Sequence, residues 1–403
     1  MLGVLLGEEL PADREAARVA YEQAIASGHP DDAPMAAVNL GVLEQQDGQL
    51  AAARAAYQQA IASGHPDHAP KALFNLGVLE QQDGQLAAAR AAYQQAIASG
   101  HPDHAPKALF NLGVLEQQDG QLAAARAAYQ QAIASGHPDH APKALFNLGV
   151  LEQQDGQLAA ARAAYQQAIA SGHPDDAPMA AVNLGVLEQQ DGQLDAARAA
   201  YQQAIASGHP DYAPMAAVRL GVLEEQDGQL AAARAAYQQA IASGHPDEAP
   251  MAAVRLGVLE EQDGQLAAAR AAYQQAIASG HPDEAPMAAV RLGVLEEQDG
   301  QLAAARAAYQ QAIASGHPDY APKALFNLGV LEEQDGQLDA ARAAYQQAIA
   351  SGHPDEAPMA AVRLGVLEEQ DGQLDAARAA YQQAIASGHP EAASRAHNAL
   401  DDL

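Results

Sequence analysis

The sequence predicts an all-α fold, an α-solenoid of stacked helix–turn–helix repeats, and three observations support this class. The triplet Gly-His-Pro begins at Gly28 and returns every 36 residues up to Gly388. Within each interval, apolar residues follow two successive runs of helical spacing. The composition also favours many closely packed helices, because the hydrophobic content of 49% comes mostly from alanine and aromatic residues make up only 4%.

The first helix of each repeat is clear in the unit that begins at Gly64. Proline is tolerated in the first turn of a helix, so Pro70 marks a helix start just before it. The turn Asp83-Gly84 ends the helix, since glycine adopts the left-handed conformation without strain. The predicted apolar face of this helix consists of Ala69, Ala72, Leu76 and Leu79.

A second amphipathic helix follows the turn and is stopped by Gly100 and Pro102. One pair of helices cannot bury its own apolar faces, so successive pairs are expected to stack. The predicted apolar face of this second helix consists of Leu86, Ala89, Tyr93, Ala96 and Ile97.

The repeat divides the chain without any segment that resembles an interdomain linker. We expect a partial N-terminal repeat at residues 1–27, ten 36-residue helical repeats at residues 28–387, and a polar C-terminal capping helix at residues 388–403. Leu2-Gly3 aligns with Leu40-Gly41, so the chain is expected to start halfway through a first helix, as an excised or truncated array would.

Several repeat positions together resemble the tetratricopeptide repeat. The residues that carry the resemblance are Asn75-Leu76-Gly77 in the first helix, Gly84 in the turn, Ala89, Tyr93 and Ala96 in the second helix, and Pro102 between units. The unit is two residues longer than the usual 34, a length also found in Sel1-like repeats, and Glu80 stands where the family usually has a large aromatic residue. The resemblance implies a right-handed superhelix whose first helices line an inner groove for a peptide or helix of a partner.

Seven of the 36 positions differ between the ten repeats, and five of these share one side of the first helix. Counted from the glycine of Gly-His-Pro, they are positions five, eight, eleven, twelve and eighteen, which we call the first-helix stripe. At about 100° per residue they fall in an arc of roughly 140°, opposite most of the invariant alanines and leucines. We therefore expect an exposed stripe, and its Phe, Tyr, Met and Arg residues are typical anchors of protein interfaces. Drift on a solvated face after recent duplication is the alternative explanation.

In the resembled family this stripe lines the binding groove. The candidate binding residues are His68, Lys71, Phe74, Asn75, His104, Lys107, Phe110, Asn111, His140, Lys143, Phe146, Asn147, Tyr212, Met215, Arg219, Glu248, Met251, Arg255, Glu284, Arg291, Tyr320, Lys323, Phe326 and Arg363.

Members of the family that bind chaperones clamp a terminal carboxylate with Lys and with Asn or Arg. Asn75 with Lys107, and Asn111 with Lys143, match part of that clamp, but Phe74 and Val78 or their equivalents occupy the remaining positions. The resemblance therefore does not extend to a full clamp.

The net charge of −30 argues against nucleic-acid partners and against an anionic membrane surface, because both are bound through Lys and Arg. No apolar run approaches the roughly 20 residues that span a bilayer, and the first ten residues are too short and too acidic for a secretory signal. The expected location is the cytoplasm. The chain has no cysteine and hence no disulfide, thiol nucleophile or Cys-bound metal.

Neither an active site nor a cofactor is expected, because almost every polar residue recurs about once per repeat instead of converging on one place. The recurring histidines suggest a metal ladder, and His65, Asp67 and His68 could chelate within one loop. Packing or capping at the helix start is the favoured role, and no metal site is predicted.

The sequence thus favours a scaffold that binds a protein or peptide segment in a groove. The alternative is a structural or self-assembling array, which could associate end to end through near-identical faces and could be an engineered consensus scaffold. RNA recognition by helical repeats is a third hypothesis, which the net charge disfavours.

Overall fold

The computed structural model describes residues 11–403, with side chains from residue 13 onward, and all regular structure in this part is helical. It forms two compact units, Met1–Ser207 and Gly208–Leu403, and each is described by itself. The 22 helices of the described residues are α1 (Pro11–Ala26), α2 (Asp32–Gln46), α3 (Leu50–Ala62), α4 (His68–Gln82), α5 (Leu86–Ala98), α6 (His104–Gln118), α7 (Leu122–Ala134), α8 (His140–Gln154), α9 (Leu158–Ala170), α10 (Asp176–Gln190), α11 (Leu194–Ala206), α12 (Tyr212–Gln226), α13 (Leu230–Ser243), α14 (Glu248–Gln262), α15 (Leu266–Ala278), α16 (Glu284–Gln298), α17 (Leu302–Ala314), α18 (Tyr320–Gln334), α19 (Leu338–Ala350), α20 (Glu356–Gln370), α21 (Leu374–Ala386) and α22 (Pro390–Asp402).

Within each unit, every helix packs on the next one along the chain, and first helices of consecutive repeats also touch. The predicted all-α solenoid of stacked helix pairs is confirmed. Pro70 is the third residue of α4, as expected for a helix start, and Gly84 in the following turn has φ +73°. The predicted half-helix at the very start of the chain lies outside the described residues.

The histidine of each Gly-His-Pro triplet caps the first helix that follows it. In the turn before α4, the His65 Nδ1 atom accepts hydrogen bonds from the backbone N–H groups of Asp67, at 3.2 Å, and His68, at 3.3 Å. These N–H groups have no partner inside the helix, so the imidazole supplies one. The expectation of a capping role is confirmed.

The hydrophobic core lies between each helix pair and the first helix of the next repeat. One cluster of buried residues combines α4, α5 and α6 and consists of Leu73, Phe74, Ala89, Tyr93, Ala96, Ala108 and Leu115. Most of the predicted apolar positions are buried, but Leu86 is 36% exposed because it opens α5 at the rim of the stack. Its place in the apolar face was therefore predicted wrongly.

A glycine inside each first helix allows the tyrosine of the second helix to lie against the backbone. A Cβ atom on Gly77 would come within 2.5 Å of the Tyr93 ring, far inside van der Waals contact. The ring itself is fully buried. The closest approach of the two helices in a repeat therefore depends on this Gly–Tyr pair.

The buried glutamate at position seventeen joins consecutive repeats. Glu80 is 5% exposed, and its two carboxylate oxygens accept hydrogen bonds from Arg54 of α3 at 2.6 and 2.8 Å. Arg54 also reaches Asp83 in the turn after α4. Glu80, which stands where the family usually has a large aromatic residue, thus accepts two charge-assisted hydrogen bonds from the preceding repeat.

Helix α22 follows the last complete repeat and packs on it. Ala392 and Ala396 are fully buried, in a cluster with Val362, Tyr381 and Ala384 of α20 and α21. The helix occupies the place of a first helix, as its alignment with the repeat predicts. Its role as a solubilising cap stays a prediction.

Candidate binding surface

The structure places the five positions of the first-helix stripe at different depths. Position eleven points inward, because Phe74 is only 6% exposed and Val254 only 5%. Phe110, Phe146 and Phe326 are half-buried and pack on tyrosines of the second helices at centroid distances of 6.0 to 6.2 Å. The expectation that all five positions form an exposed stripe was therefore wrong for position eleven.

Positions twelve and eighteen lie on either side of a tyrosine hydroxyl. In the first unit, the Tyr93 hydroxyl donates to Gln81 Oε1 at 2.9 Å, and the Asn111 side chain of the next repeat also bonds to it. Burial raises the pKa of Tyr93 to about 12, with an opposing contribution from Asn111. The phenol therefore stays protonated and donates to Gln81 at neutral pH.

The second unit builds the same connection from charged residues. The Tyr237 hydroxyl donates to Glu225 Oε2 at 2.9 Å, and Arg255 of the next repeat contacts the same tyrosine. Arg363 and Glu333 form an equivalent pair, with Nη1 and Oε1 3.9 Å apart. Unlike the asparagines at position twelve, Arg219, Arg255, Arg291 and Arg363 are exposed.

The sequence contains a signal of this connection that the helical wheel missed. Position eighteen of one repeat and position twelve of the next are 30 residues apart, and their residues change together. Glutamine precedes asparagine in the pairs 45 and 75, 81 and 111, 117 and 147, and 153 and 183. Glutamate precedes arginine in the pairs 225 and 255, 261 and 291, and 333 and 363, and the two mixed pairs are Gln189 with Arg219 and Glu297 with Asn327. Much of the variation at these two positions is thus coupled across repeat interfaces.

Position eight supplies the most accessible cations of the first unit. Lys71 and Lys107 are exposed, and Lys143 is half-buried, as Met215, Met251 and Met287 are at the same position in the second unit. The Lys107 Nζ atom lies 4.5 Å from the centroid of the Phe74 ring in the preceding repeat. This cation–π contact holds the ammonium group above the gap between neighbouring first helices.

Position five is occupied by histidine in three consecutive repeats, beside the capping histidine of the same turn. The ring centroids of His101 and His104 are 4.5 Å apart. Burial is the main cause that lowers the pKa of His104 to about 4, with further contributions from His101, Lys107 and Lys71 against an opposing one from Asp103. The pKa of His140 is lowered in the same way to about 4. Both rings are therefore neutral at physiological pH.

Carboxyl groups occupy position five elsewhere. Asp176 is 4% exposed, and burial raises the pKa of its carboxyl group against the opposing charges of His173 and Lys143. Glu248 and Glu284 are half-buried with pKa values raised by burial, opposed by their capping histidines and by Arg219 and Arg255 respectively. Tyr212 and Tyr320 are half-buried at the same position.

A pocket opens between consecutive first helices of the second unit. Its volume is about 300 Å³, near the lower limit for small-ligand sites. It joins positions five, eight, eleven, twelve and eighteen, with methionine and valine walls under a rim of opposite charges. Its lining residues are Glu225, Met251, Val254, Arg255, Val258, Glu284, Met287 and Arg291.

Among residues 11–403, no group of three or more His, Asp or Glu side chains comes together in a way that could hold a metal ion. The candidate chelating group around His65 uses its Nδ1 atom for the helix cap instead. The helices of the same part include none that is long and apolar enough to cross a bilayer.

Family models match most of this helical array. One model described as tetratricopeptide repeat matches residues 32–100, and a second with the same description matches residues 218–285, 254–321, 290–357 and 326–393. A model described as pre-mRNA-splicing factor Syf1/CRNKL1 C-terminal HAT repeat matches residues 71–217. No curated protein sequence matches the chain.

Solved structures that resemble the chain include three bacterial proteins. PilF of Pseudomonas aeruginosa is 18% identical, with 56% of this chain and 91% of that chain covered and a TM-score of 0.39. The C-terminal part of a TPR repeat-containing protein from Cytophaga hutchinsonii is 14% identical, with 57% and 90% covered and a TM-score of 0.45. BtubC from P. vanneervenii is 20% identical, with 56% and 91% covered and a TM-score of 0.37.

Proposed function

Since the chain belongs to the tetratricopeptide repeat family, whose repeats generally mediate protein–protein interaction, we propose that it is a non-catalytic scaffold that binds a segment of a partner protein along its first helices. The right-handed superhelix and the cytoplasmic location expected from the sequence stay predictions.

One observation carries the proposal of a binding surface on the first helices. After the residues that pack inside the stack are set aside, positions five, eight and twelve still present different side chains to solvent, including Lys71, Lys107, Arg255 and Arg291. The pocket between Met251 and Met287 adds an apolar cavity to the same surface. Apolar cavities with a polar rim are typical places for the anchor residues of a partner.

The test compares two folded variants that change net charge equally. In the stripe variant, Lys71, Lys107, Lys143, Arg219, Arg255 and Arg291 become glutamine. In the control variant, six exposed glutamines of second helices become glutamate, at positions 94, 130, 166, 238, 274 and 310. Circular dichroism establishes that both variants keep their helices.

We expect a partner that wild-type protein and the control capture from a cell lysate, and that the stripe variant loses. Equal recovery by all three proteins would refute a binding role for the first helices and favour a structural or self-assembling array. In that case the molar mass should rise with concentration, which sedimentation of the wild-type protein measures directly.

A further inference from the structure

Two turns of the second unit have the same local sequence but different surroundings. Residues 328–342 and 364–378 both read LGVLEEQDGQLDAAR. Each stretch contains an Asp–Gly step in the turn after a first helix, at Asp335-Gly336 after α18 and at Asp371-Gly372 after α20. Any difference in chemical reactivity between the two steps must therefore come from the fold.

The backbone holds both steps in the same conformation. The ψ angles of Asp335 and Asp371 are 0° and 1°, so the glycine nitrogen eclipses the nitrogen of the aspartate and not its Cβ atom. The N–H groups of Gly336 and Gly372 donate to carbonyl oxygens three residues earlier, at 3.1 and 3.0 Å. Glycine has no side chain that would shield its nitrogen from the preceding carboxyl group. In both turns, the backbone must therefore rotate before that nitrogen can reach the carboxyl carbon.

The side chain of Asp335 is held firmly by the preceding repeat. It bonds to Arg306 of α17, which also donates two hydrogen bonds to Glu332, at 2.6 and 2.9 Å. The side chain of Asp335 is 34% exposed. Its carboxyl carbon cannot turn towards the nitrogen of Gly336 unless the bond to Arg306 breaks.

The arginine that holds Asp371 is shared among three carboxylates. Arg342 of α19 donates through Nε to Glu368 at 2.8 Å, through Nη1 to Asp339 at 2.9 Å and through Nη2 to Asp371 at 2.9 Å. The side chain of Asp371 is 52% exposed. Asp371 is thus less covered than Asp335 and has a competitor for its only cation in this turn.

One residue in the second helix accounts for this difference. Asp339 stands three residues before Arg342 on α19, whereas Ala303 stands three residues before Arg306 on α17. Opposite charges at i and i+3 of a helix attract each other. Asp339 therefore competes with the turn for the guanidinium group, and Ala303 does not.

We propose that Asp371-Gly372 is a site of self-modification, where aspartate converts to isoaspartate ahead of Asp335-Gly336. The Gly372 nitrogen attacks the carboxyl carbon of Asp371, the bond from that carbon to its hydroxyl oxygen breaks, and the hydroxyl leaves with the amide hydrogen as water. Water then adds to the main-chain carbonyl carbon of the resulting succinimide, whose bond to nitrogen breaks. The chain now continues through the side-chain carboxyl carbon, with no net change in composition and no other reagent.

This site is separate from the proposed binding surface and does not depend on a partner. Isoaspartate places one additional carbon atom in the backbone of the turn that joins α20 to α21. Both helices belong to the last complete repeat, on which α22 packs. The modification therefore acts on the geometry of one identified repeat.

Incubation of the folded wild-type protein at physiological temperature and neutral pH tests the proposal. Trypsin then releases residues 324–342 and 364–378 as peptides of different sequence, and electron-transfer dissociation distinguishes isoaspartate from aspartate in each. We expect isoaspartate to form roughly threefold faster at Asp371 than at Asp335, the effect of about one exposed ion pair. Equal rates, or a faster reaction at Asp335, would overturn the proposal.

The same protein incubated in urea is the control for intrinsic reactivity. With the fold lost, the two identical stretches should form isoaspartate at equal rates. A difference that persists in urea would count against the proposal, because it would show that the fold is not its cause.

Exchange of one residue between the two second helices then locates the cause. D339A should slow isoaspartate formation at Asp371 roughly threefold, and A303D should speed it at Asp335 by a similar factor. Both positions are exposed, and each variant receives the residue that the other helix already has, so both should keep their wild-type circular dichroism. Unchanged rates in both folded variants would refute the competition for the arginine on which the proposal stands.

Discussion

At the scale of single residues, buried polar groups hold the repeats together. Glu116 is 5% exposed and accepts hydrogen bonds from Arg90 of the preceding repeat at 2.6 and 2.8 Å. The carboxylate can be buried here because the guanidinium group compensates its charge through two hydrogen bonds. Each such pair joins two consecutive repeats, whose alanine-rich core offers little area for hydrophobic contact.

We predict that Glu116→Ala lowers the free energy of unfolding by about 1–3 kcal/mol. The substitution leaves Arg90 without its buried partner, although solvent reaches part of the guanidinium group. Urea denaturation followed by circular dichroism measures the change. Asp119→Asn is the matched control, because it removes the more exposed carboxylate of the same arginine. A control loss as large as that of Glu116→Ala would contradict the importance of the buried bond.

The histidines at position five predict a pH dependence of stability. Burial holds the pKa of His104 and His140 at about 4 in the folded state, below the usual value of about 6.5. Between these values the unfolded chain binds protons that the folded chain does not, so stability should fall as the pH decreases from about 6.5 to about 4. The melting temperature of wild-type protein should therefore decrease more between neutral pH and pH about 5 than that of H104Y/H140Y.

Tyrosine is a suitable replacement because Tyr212 and Tyr320 occupy the same position. The charged groups around His104 (Lys71, His101, Asp103 and Lys107) stay in place in the variant. Parallel pH profiles of the two proteins would refute the contribution of these histidines.

At the scale of the helices, a small residue sets how closely the two helices of a repeat approach. A Cβ atom on Gly113 of α6 would lie 2.5 Å from the Tyr129 ring of α7. Tyr129 is fully buried and donates its hydroxyl hydrogen to Gln117, at 2.9 Å. The tyrosine therefore cannot retreat without loss of that bond or of its packing.

We predict that Gly113→Ala destabilises the protein by about 1–3 kcal/mol. The sign of the change in stability is informative, because in an exposed helix interior alanine is more favourable than glycine by about 1 kcal/mol. Thermal unfolding monitored at 222 nm measures the effect. An unchanged or higher melting temperature would show that the helices separate easily and that the close contact contributes little.

At the scale of the whole molecule, near-identical repeats make the interfaces interchangeable. The repeats at residues 64–99, 100–135 and 136–171 are identical in sequence. Each contacts its neighbours through the same kind of cluster and the same Arg–Glu pair, and each contains the same internal Tyr–Gln bond. In such an array, stability approximates a sum of repeat and nearest-neighbour contributions.

We therefore predict that excision of residues 100–135 yields a folded protein with unchanged mean residue ellipticity. Arg90 would pair with Glu152 in place of Glu116, and the denaturant m-value should fall by about a tenth with the smaller buried surface. Excision of residues 100–129 is the control, because it removes 30 residues and breaks the helical register. Comparable folding of both deletion variants would contradict the nearest-neighbour description.

The sequence alone specified the helix pairs and their boundaries. Pro70 at the helix start and Gly84 in the turn act through local backbone conformation, which a short stretch of sequence contains in full. The buried Ala89, Tyr93 and Ala96 followed from helical periodicity for the same reason. The exposure of Leu86 did not, because it depends on how far the neighbouring repeat covers the first turn.

Only the tertiary structure decided which group of the neighbouring repeat each polar or variable residue contacts. The wheel gives the direction of Phe74 or Glu80 on its own helix, but not which group of the neighbouring repeat meets it. Contacts over 26 or 18 residues between consecutive repeats, such as Arg54 with Glu80 or Tyr93 with Asn111, arise from stacking geometry. By itself the sequence thus determined an all-helical repeat array. Only the stacking of the helices decided which residues hold the array together and which stay exposed for a partner.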